Sequence, residues 1–408
     1  MIVVGAGAAG MVAAWRAAQD TRHVLLLEKN GVLGRKLSLT GKGRGNLTND
    51  SSLDTHIGAF GKQGVFLRNA YSRFFVPELK AFFSVLGVPL ATQRQARVFP
   101  ANEDVRSVIE ALGRALRTAG VEVRTRASVR EIAAPAAGPK RVVLEDGRVL
   151  EARAVIIATG GASYPATGST GDGYRFAGAL GHEIVPPQPA LVPLRTRERW
   201  VRSCAGLVLF PVRLTFTAAG RARTTDVGEL LLTHFGVSGP LVLNESGRVA
   251  GELKSGPVTL AIDLKPGLEA AQLDDKLRRA FAAGGGKTLK NFLAGLLPKR
   301  LIGAFLSAAG LDGEKKCHQV TVAERRRLIA MLKALPLTVT GTLGLEEAMV
   351  TQGGVALKEI DPRTMASRKA PGVYLCGEVL DLAAVTGGFN LQAAFSTGYL
   401  AGEAAGKS

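Results

Sequence analysis

Cysteine is scarce in this 408-residue chain: Cys204, Cys317 and Cys376 stand far apart, with no CxxC pair and no His/Cys spacing. That excludes a disulfide framework and a thiolate zinc site, and it fits a reducing, cytoplasmic setting. Long apolar runs are missing too. Met1–Ala14 is apolar, but it lacks a basic leader and a cleavage site, and its glycines interrupt any continuous helix. No later run approaches the roughly 18 residues that a span requires, so neither export nor a membrane span is expected. Acidic side chains are the minority, 34 against 52 basic ones, which leaves a net charge of +18. On charge alone that favours polyanions such as RNA, DNA or anionic lipid, although an Arg-rich composition with no such partner produces the same number.

Glycine, by contrast, is abundant at 50 residues, and 46% of the chain is hydrophobic, so it can bury the cores of about two to three domains. The opening MIVVGAGAAGMVAAWRAAQ reads as a buried strand, a glycine turn and a helix, followed by the strand HVLLLEK ending at Glu28. Helical spacing recurs around Glu78–Leu86 and Val105–Ala119. VEVRTRASV and RVVLEDGRVLEA alternate as strands with a DG turn, and AVIIATGG is an apolar strand. PPQPALVPL marks a proline-rich boundary. Short strands such as PVRLTFTAAG and PVTLAIDL follow, then three or so helices between Leu268 and Leu335. The α/β pattern returns near Gly353. The expected architecture is an α/β, Rossmann-like domain made of residues 1–187 and 351–408. Inserted in it is a domain at 188–350, a β-barrel (about 188–265 and 336–350) with a small helical bundle (about 266–335).

The motif Gly5-Ala6-Gly7-Ala8-Ala9-Gly10 follows a strand and opens a helix, with Glu28 at the end of the next strand. Gly5 permits the turn, Gly7 lets the backbone approach a pyrophosphate at the helix N-terminus, and Gly10 allows close packing. Glu28 is placed for ribose hydroxyls. The bland alternative is a glycine turn used for packing. A second segment, PGVYLCGEVLDLAAVTGGFNLQAAFSTGYLAG, supplies a strand, then Gly377-Glu378, a loop and a helix near Asn390. An acidic residue there suits the ribityl chain of FAD. A helix starting at Asn390, Leu391 and Gln392 turns its positive end toward the flavin pyrimidine. FAD is therefore the expected dinucleotide. Ala393, Ala394, Ser396, Gly398 and Gly402 read as close helix packing.

The strings GAGAAGMVAA, GRKLSLTGKGRGNLTN, VFPANEDVRSV, ATGGASYPATGSTGDGY, GELLLTHFGVSGP and CGEVLDLAAVTGGFNLQAAFSTGY resemble the BaiN/RdsA family of NAD(P)/FAD-dependent oxidoreductases, the aminoacetone-oxidase-like flavoproteins. The match runs from residue 1 to about 402. It implies a Rossmann-like FAD domain with an inserted β-barrel and helical bundle. It also implies cofactor contacts at Ala9, Lys29, Arg35, Lys36, Thr40, Val129, Thr159 and Gly160, besides Gly5, Gly7, Gly10, Glu28, Gly377, Glu378, Asn390, Leu391 and Gln392. Where the family has GRCN, this chain has Gly43-Arg44-Gly45-Asn46.

FAD carries the redox chemistry, so neither a triad nor a metal cluster is expected. Proton donors are sought at Tyr164 and His234, each of which is also an ordinary loop hydrogen-bonding residue. Cys376 reads as a buried small hydrophobe. No second glycine fingerprint opens another β-α-β unit, which leaves NAD(P)H as a transient reductant bound at the flavin. Through the resemblance, substrates range from a ribosomal-RNA uridine to small molecules: an enone in a steroid-like acid, or aminoacetone. A non-enzymatic RNA-binding flavoprotein is a further reading. Residues 265–333 hold 14 Lys/Arg and 6 Asp/Glu, a local excess that suits ribosomal RNA and equally a solvated helical face.

Overall fold

The computed structural model describes residues 1–284 and 286–408. Four apolar strands have every residue buried or nearly so: Ile2–Val4, Leu25–Leu27, Val155–Ile157 and Val373–Leu375. With Glu122–Arg124 they form one parallel sheet, in the order 373–375, 155–157, 2–4, 25–27, 122–124. Such strands lack alternation because helices cover both faces of a parallel sheet. Val155 pairs with Val373, so the two ends of the chain share this sheet.

The helix Ala8–Ala17 leaves the first strand, and the final helix Phe389–Lys407 packs along it. Their approach is close enough to need glycine. A Cβ on Gly398 would lie 2.3 Å from the Ala9 carbonyl oxygen, and one on Gly402 would lie 2.3 Å from that of Ala13. The small residues of the last helix are packing residues, as their spacing suggests.

The chain divides into two compact units, residues 1–190 with 345–408, and residues 191–344. The division falls inside the proline-rich segment 186–194, whose first part belongs to a strand, Ile184–Ala190, antiparallel to Val350–Val355 within the first unit. Its register slips between Val185 and Gln188, where Pro186 and Pro187 have no N–H to give to a ladder. VEVRTRASV likewise divides between two sheets. Glu122–Arg124 joins the parallel sheet, while Val129–Ala133 begins a separate antiparallel meander with Lys140–Leu144 and Val149–Ala152.

In the second unit, six strands close on themselves. Val208–Ala218 pairs with Gly228–Leu232 on one side and Val258–Asp263 on the other, and the ring continues through Gly236–Ser238, Leu194–Thr196 and Leu335–Thr342. Six helices accompany it among the described residues: Trp200–Ser203, Pro240–Leu253, Ala270–Ala283, Leu289–Leu293, Lys299–Ala309 and Val322–Lys333. The last is started by a capping box in which the Thr321 hydroxyl accepts from the Glu324 N–H and the Glu324 carboxylate accepts from the Thr321 N–H. Barrel and helices share one apolar core, containing for example Leu260, Phe305 and Leu328.

Candidate functional site

The glycine turn is built by steric need. Gly5 has φ +101°, and a Cβ there would lie 2.6 Å from the Ala158 carbonyl oxygen; a Cβ on Gly10 would fall 1.8 Å from the oxygen of Gly5. Gly7 differs: nothing lies within 4 Å of where its Cβ would be. The protein alone does not require glycine at that position, whereas a ligand lying against the backbone would. Gly7 also caps the helix without a side-chain acceptor. Ala8, Ala9 and Gly10 thus direct first-turn N–H groups outward, where a phosphate is favoured.

Glu28 is 8% exposed, and its carboxylate accepts from the Ala6 N–H (2.8 Å) and from the Asn30 N–H and Nδ2 (both 2.8 Å). It therefore holds the glycine turn against the second strand, and its remaining lone pairs are the ones left for ribose hydroxyls. Asn30 in turn accepts from Arg35 Nη1 (3.0 Å) and donates to the Thr167 carbonyl (3.1 Å). Lys29 bonds the Thr170 hydroxyl (2.6 Å) and the Asp172 carboxylate (2.7 Å). The GSTGDG turn is thus drawn to the end of the second strand, and Asn30 and Asp172 are site residues not foreseen from spacing.

A second cluster joins residues far apart in sequence. Lys36 Nζ donates to Glu378 Oε2 and to the Ser163 hydroxyl, both at 2.7 Å. The other Glu378 oxygen accepts from Ser163 Oγ (3.0 Å) and the Thr351 N–H (2.8 Å). Lys36 and Glu378 therefore act as a partly exposed ion pair rather than as two separate contacts. Ser163 and Thr351 complete it. Ser163 lay in a recognisable motif, whereas Thr351, the first residue of the expected return to the Rossmann-like domain, carried no motif.

Thr159 directs its hydroxyl inward, where it is buried without a partner, and a Cβ on Gly173 would lie 2.1 Å from it; any contact with a cofactor falls to its backbone and to Gly160 at φ +75°. Thr40 Oγ1 bonds its own turn at the Leu37 carbonyl. Val129 is buried in the meander, paired with Leu144. Gly377, at φ +76°, faces Ala9, and its N–H is held by Thr397 Oγ1 at 3.0 Å.

The final helix begins at Phe389, one residue earlier than Asn390. The Gln392 N–H already returns to the Gly388 carbonyl (3.1 Å), so the first-turn N–H groups are those of Phe389, Asn390 and Leu391. The Asn390 side chain clasps the loop before the helix, through the Ala384 N–H (2.9 Å) and carbonyl (3.1 Å). Gln392 is fully buried and bonds Ser396 Oγ at 2.9 Å, so its amide is structural. The Asn46 amide, correctly oriented, accepts from the Gly388 N–H at 3.2 Å and ties the GRGN turn to that helix. Gly45 stands at φ +81°, where a Cβ would be 3.0 Å from Val105; a cysteine there would be strained and crowded.

Of the proton-donor candidates, Tyr164 has φ +50°, and burial, then the nearby Glu347, raises its phenol above the usual range. His234 is exposed in the second unit, its ring edge-on to Phe235 with centroids 4.7 Å apart. Asp381, on the loop between Gly377 and Asn390, was not foreseen; burial raises its carboxyl, which accepts from Gln63 Nε2 (2.7 Å) and the Gly353 N–H (3.1 Å). Cys376 is buried and its thiol is pushed up to about 12, which makes it inert at neutral pH. His182 is tied to Glu359 and Ser367. Among the described residues no group of three His, Cys, Asp or Glu is arranged to hold a metal, and no helix is long and apolar enough to cross a membrane. A cleft of about 440 Å³ lined by Trp15, Gln19 and Arg114 adjoins the C-terminal end of the first helix, and no candidate residue lines it.

Taken together, the open backbone at Gly7, two outward helix N-termini and a Lys36–Glu378 pair suit a long, anionic dinucleotide such as FAD.

In the basic stretch 265–333, many of the cations are already paired. Arg325 bonds Asp274 at 2.8 Å and is half-buried, Arg278 and Arg279 share Asp275, Lys315 bonds Glu324, and Lys333 bonds Asp263. Arg325 is therefore not a free phosphate contact.

The family description "HI0933-like protein Rossmann domain" matches residues 1–404. A 3-dehydro-bile acid delta(4,6)-reductase of Clostridium scindens is 35% identical over 99% of this chain and 98% of its own length. A ribosomal RNA dihydrouridine synthase of Escherichia coli is 32% identical over 98% of this chain and 96% of its own. Among solved structures, a flavocytochrome c3 fumarate reductase superposes with a TM-score of 0.53 at 16% identity, covering all of this chain and 78% of that one. A 3-ketosteroid-delta4-(5alpha)-dehydrogenase of Rhodococcus jostii also gives 0.53, at 15% identity, covering all of this chain and 96% of its own. At such identities the two structures show a shared fold.

Proposed function

The chain belongs to the HI0933-like Rossmann family and is a FAD-dependent oxidoreductase; from that premise we propose that it reduces an activated carbon–carbon double bond, the 5,6 bond of a uridine in ribosomal RNA, with NAD(P)H as reductant. One observation carries the reaction type. Two relatives of similar identity carry names with different substrates, and both names describe hydrogen added across such a bond. The choice of RNA rests on charge. The unit at 191–344 holds 23 Lys/Arg against 12 Asp/Glu, an excess of eleven, whereas a small metabolite needs one or two cations.

FAD, when bound, would supply the hydride chemistry between the reductant and the substrate. The chain's own contribution is to hold and orient. The N–H groups at Ala8–Gly10 would receive the pyrophosphate, Glu28 the ribose, and Glu378 with Lys36 the ribityl chain. The positive end of the helix beginning at Phe389 would favour negative charge on a flavin ring held there. Glu378 is fixed by three partners, so its placement does not depend on the ligand. Tyr164 and Asp381, both kept toward the protonated form, are the groups able to hold a proton for the second carbon. The setting proposed is the cytoplasm, where both NAD(P)H and ribosomal RNA are found.

The purified protein is expected to be yellow with about one FAD per chain, and Gly7→Trp to be colourless. Ribosomal RNA from cells lacking the protein should lose dihydrouridine at a defined position. Unchanged RNA together with a changed metabolite would give preference to the small-molecule reading, reduction of an enone or oxidation of an amine. Bound flavin that NAD(P)H does not reduce in stopped flow would favour a non-enzymatic RNA-binding role.

A further inference from the structure

The cations that meet RNA need not be the ones on the helices. In the second unit the segment Arg195-Thr-Arg-Glu-Arg-Trp-Val-Arg202 holds four arginines and one acid. All four arginines are exposed, and none has a carboxylate within ion-pair distance among the described residues. The single acid does not neutralise them locally: Glu198 turns both carboxylate oxygens to the Thr338 N–H, at 2.9 and 3.0 Å. Arg195 pairs across the sheet with Gly236 on one side and Gly341 on the other, so no neighbouring side chain covers it. A Cβ at Gly236 would fall 2.2 Å from the Leu194 carbonyl oxygen, which keeps that position bare.

The same strip adjoins aromatic rings. The Thr196 N–H donates to the Phe235 carbonyl (3.2 Å), which fixes the turn Thr233–Phe235 beside Arg195 and Arg197. On the far side of that turn, the Gly206 N–H donates to the Leu232 carbonyl (2.8 Å), which brings in the end of the short helix Trp200–Ser203 and its Arg202. Arg300 binds that helix's C-terminal side, through the Ser203 (3.1 Å) and Ala205 (2.9 Å) carbonyls. An exposed His234 and half-buried Phe235 thus lie between two groups of unpaired arginines. Cations interleaved with flat rings bind phosphates and stack unpaired bases. By contrast, the helical cations at 265–333 alternate with carboxylates that neutralise many of them.

The structure assigns the RNA-binding surface to Arg195, Arg197, Arg199 and Arg202, with the His234–Phe235 turn stacking an unpaired base. This rests on the proposal that the substrate is RNA. The partner it fits is a folded RNA that presents its backbone to the arginines and one unpaired base to the rings.

The test uses the full-length, flavin-loaded protein and an in vitro transcribed ribosomal-RNA fragment, titrated over a range of salt. Wild type, a fourfold Arg195→Gln/Arg197→Gln/Arg199→Gln/Arg202→Gln variant and Arg326→Gln/Arg327→Gln are compared, with flavin content and melting temperature as checks of folding. The fourfold variant should lose roughly 2.8 to 3.6 units of the log–log salt slope. Its affinity at physiological salt should drop at least about tenfold, while the helical double variant stays within about twofold. Phe235→Ala should weaken binding on the order of tenfold with the slope unchanged, as loss of stacking without loss of charge requires. If the fourfold variant loses its flavin, Arg195→Gln and Arg199→Gln made singly should each remove about 0.7 to 0.9 of the slope. Wild-type binding that the strip variants leave intact overturns this assignment alone. A wild type that ignores RNA overturns the RNA reading along with it.

Discussion

Glu403 sits among three cations, Arg16 at 3.0 Å, Arg73 at 2.6 Å and Lys407 at 3.1 Å, on the helix that closes the Rossmann-like unit. Chiefly through its hydrogen bonds with Arg73, the carboxyl is lowered to about 2. A depressed carboxyl stabilises the folded chain above its unfolded pKa, near 4.5, and loses that contribution as pH falls toward 2. Glu403→Gln should therefore melt below wild type at pH 6, and the gap should close between about pH 4.5 and 2; a gap independent of pH would show that packing, not charge, matters there. Gly45 permits a second test. At φ +81° and against Val105, Gly45→Cys should cost about 1–3 kcal/mol in denaturant unfolding. A relative that has cysteine at this turn must seat it on a different local backbone or move the neighbour.

Helix against helix, the same steric reasoning gives a larger effect. The last helix lies on the first through Gly398 and Gly402, and a side chain at either meets backbone oxygen, which cannot rotate away. Gly398→Val should therefore lower the melting temperature and release flavin in parallel, since the first helix also bears the glycine turn; a cost of about 1–3 kcal/mol or more is expected. Retention of full flavin content would separate the helix contact from cofactor binding. These glycines were legible in the sequence because close approach of two backbones leaves one choice of residue. The proline pair at 186–187 lies close to the division of the chain, but its place in a strand was not legible, for the converse reason. Proline weakens a strand, yet an outer, bulged strand tolerates it, and nothing local announces the partner at Val350–Val355. Burial directions were also hidden: Thr159 and Gln392 occupy the expected segments, but which way each side chain turns depends on Gly173 and on Ser396 in the folded chain.

Over the whole molecule, chemistry and charge are divided between the units. Every cofactor candidate from Gly5 to Gln392 falls in residues 1–190 and 345–408, while the excess of eleven positive charges falls in residues 191–344. The Rossmann-like half was readable because its motif is contiguous and its strands are apolar throughout. The proposed polyanion surface was not, because counting Lys and Arg between 265 and 333 says nothing of Asp274, Asp275 or Glu324 folding back onto them. The division can be tested by excision. Ala190 pairs directly with Val350, so the chain leaves the first unit and re-enters it at neighbouring points of one ribbon. Replacing residues 192–346 with a short Gly-Ser linker should close that ribbon at little entropic cost, about 0.6 kcal/mol for each doubling of the loop. The product should still fold with the parallel sheet intact and bind about one FAD per chain, as the confinement of the candidate site to the first unit requires. It should bind ribosomal RNA no better than a neutral protein does at physiological salt, because the arginine strip and the basic helices of the insertion are gone. A yellow product that still binds RNA would move the polyanion surface to the first unit. A colourless, aggregated one, recovered even when FAD is present during refolding, would show that the insertion supports the flavin site.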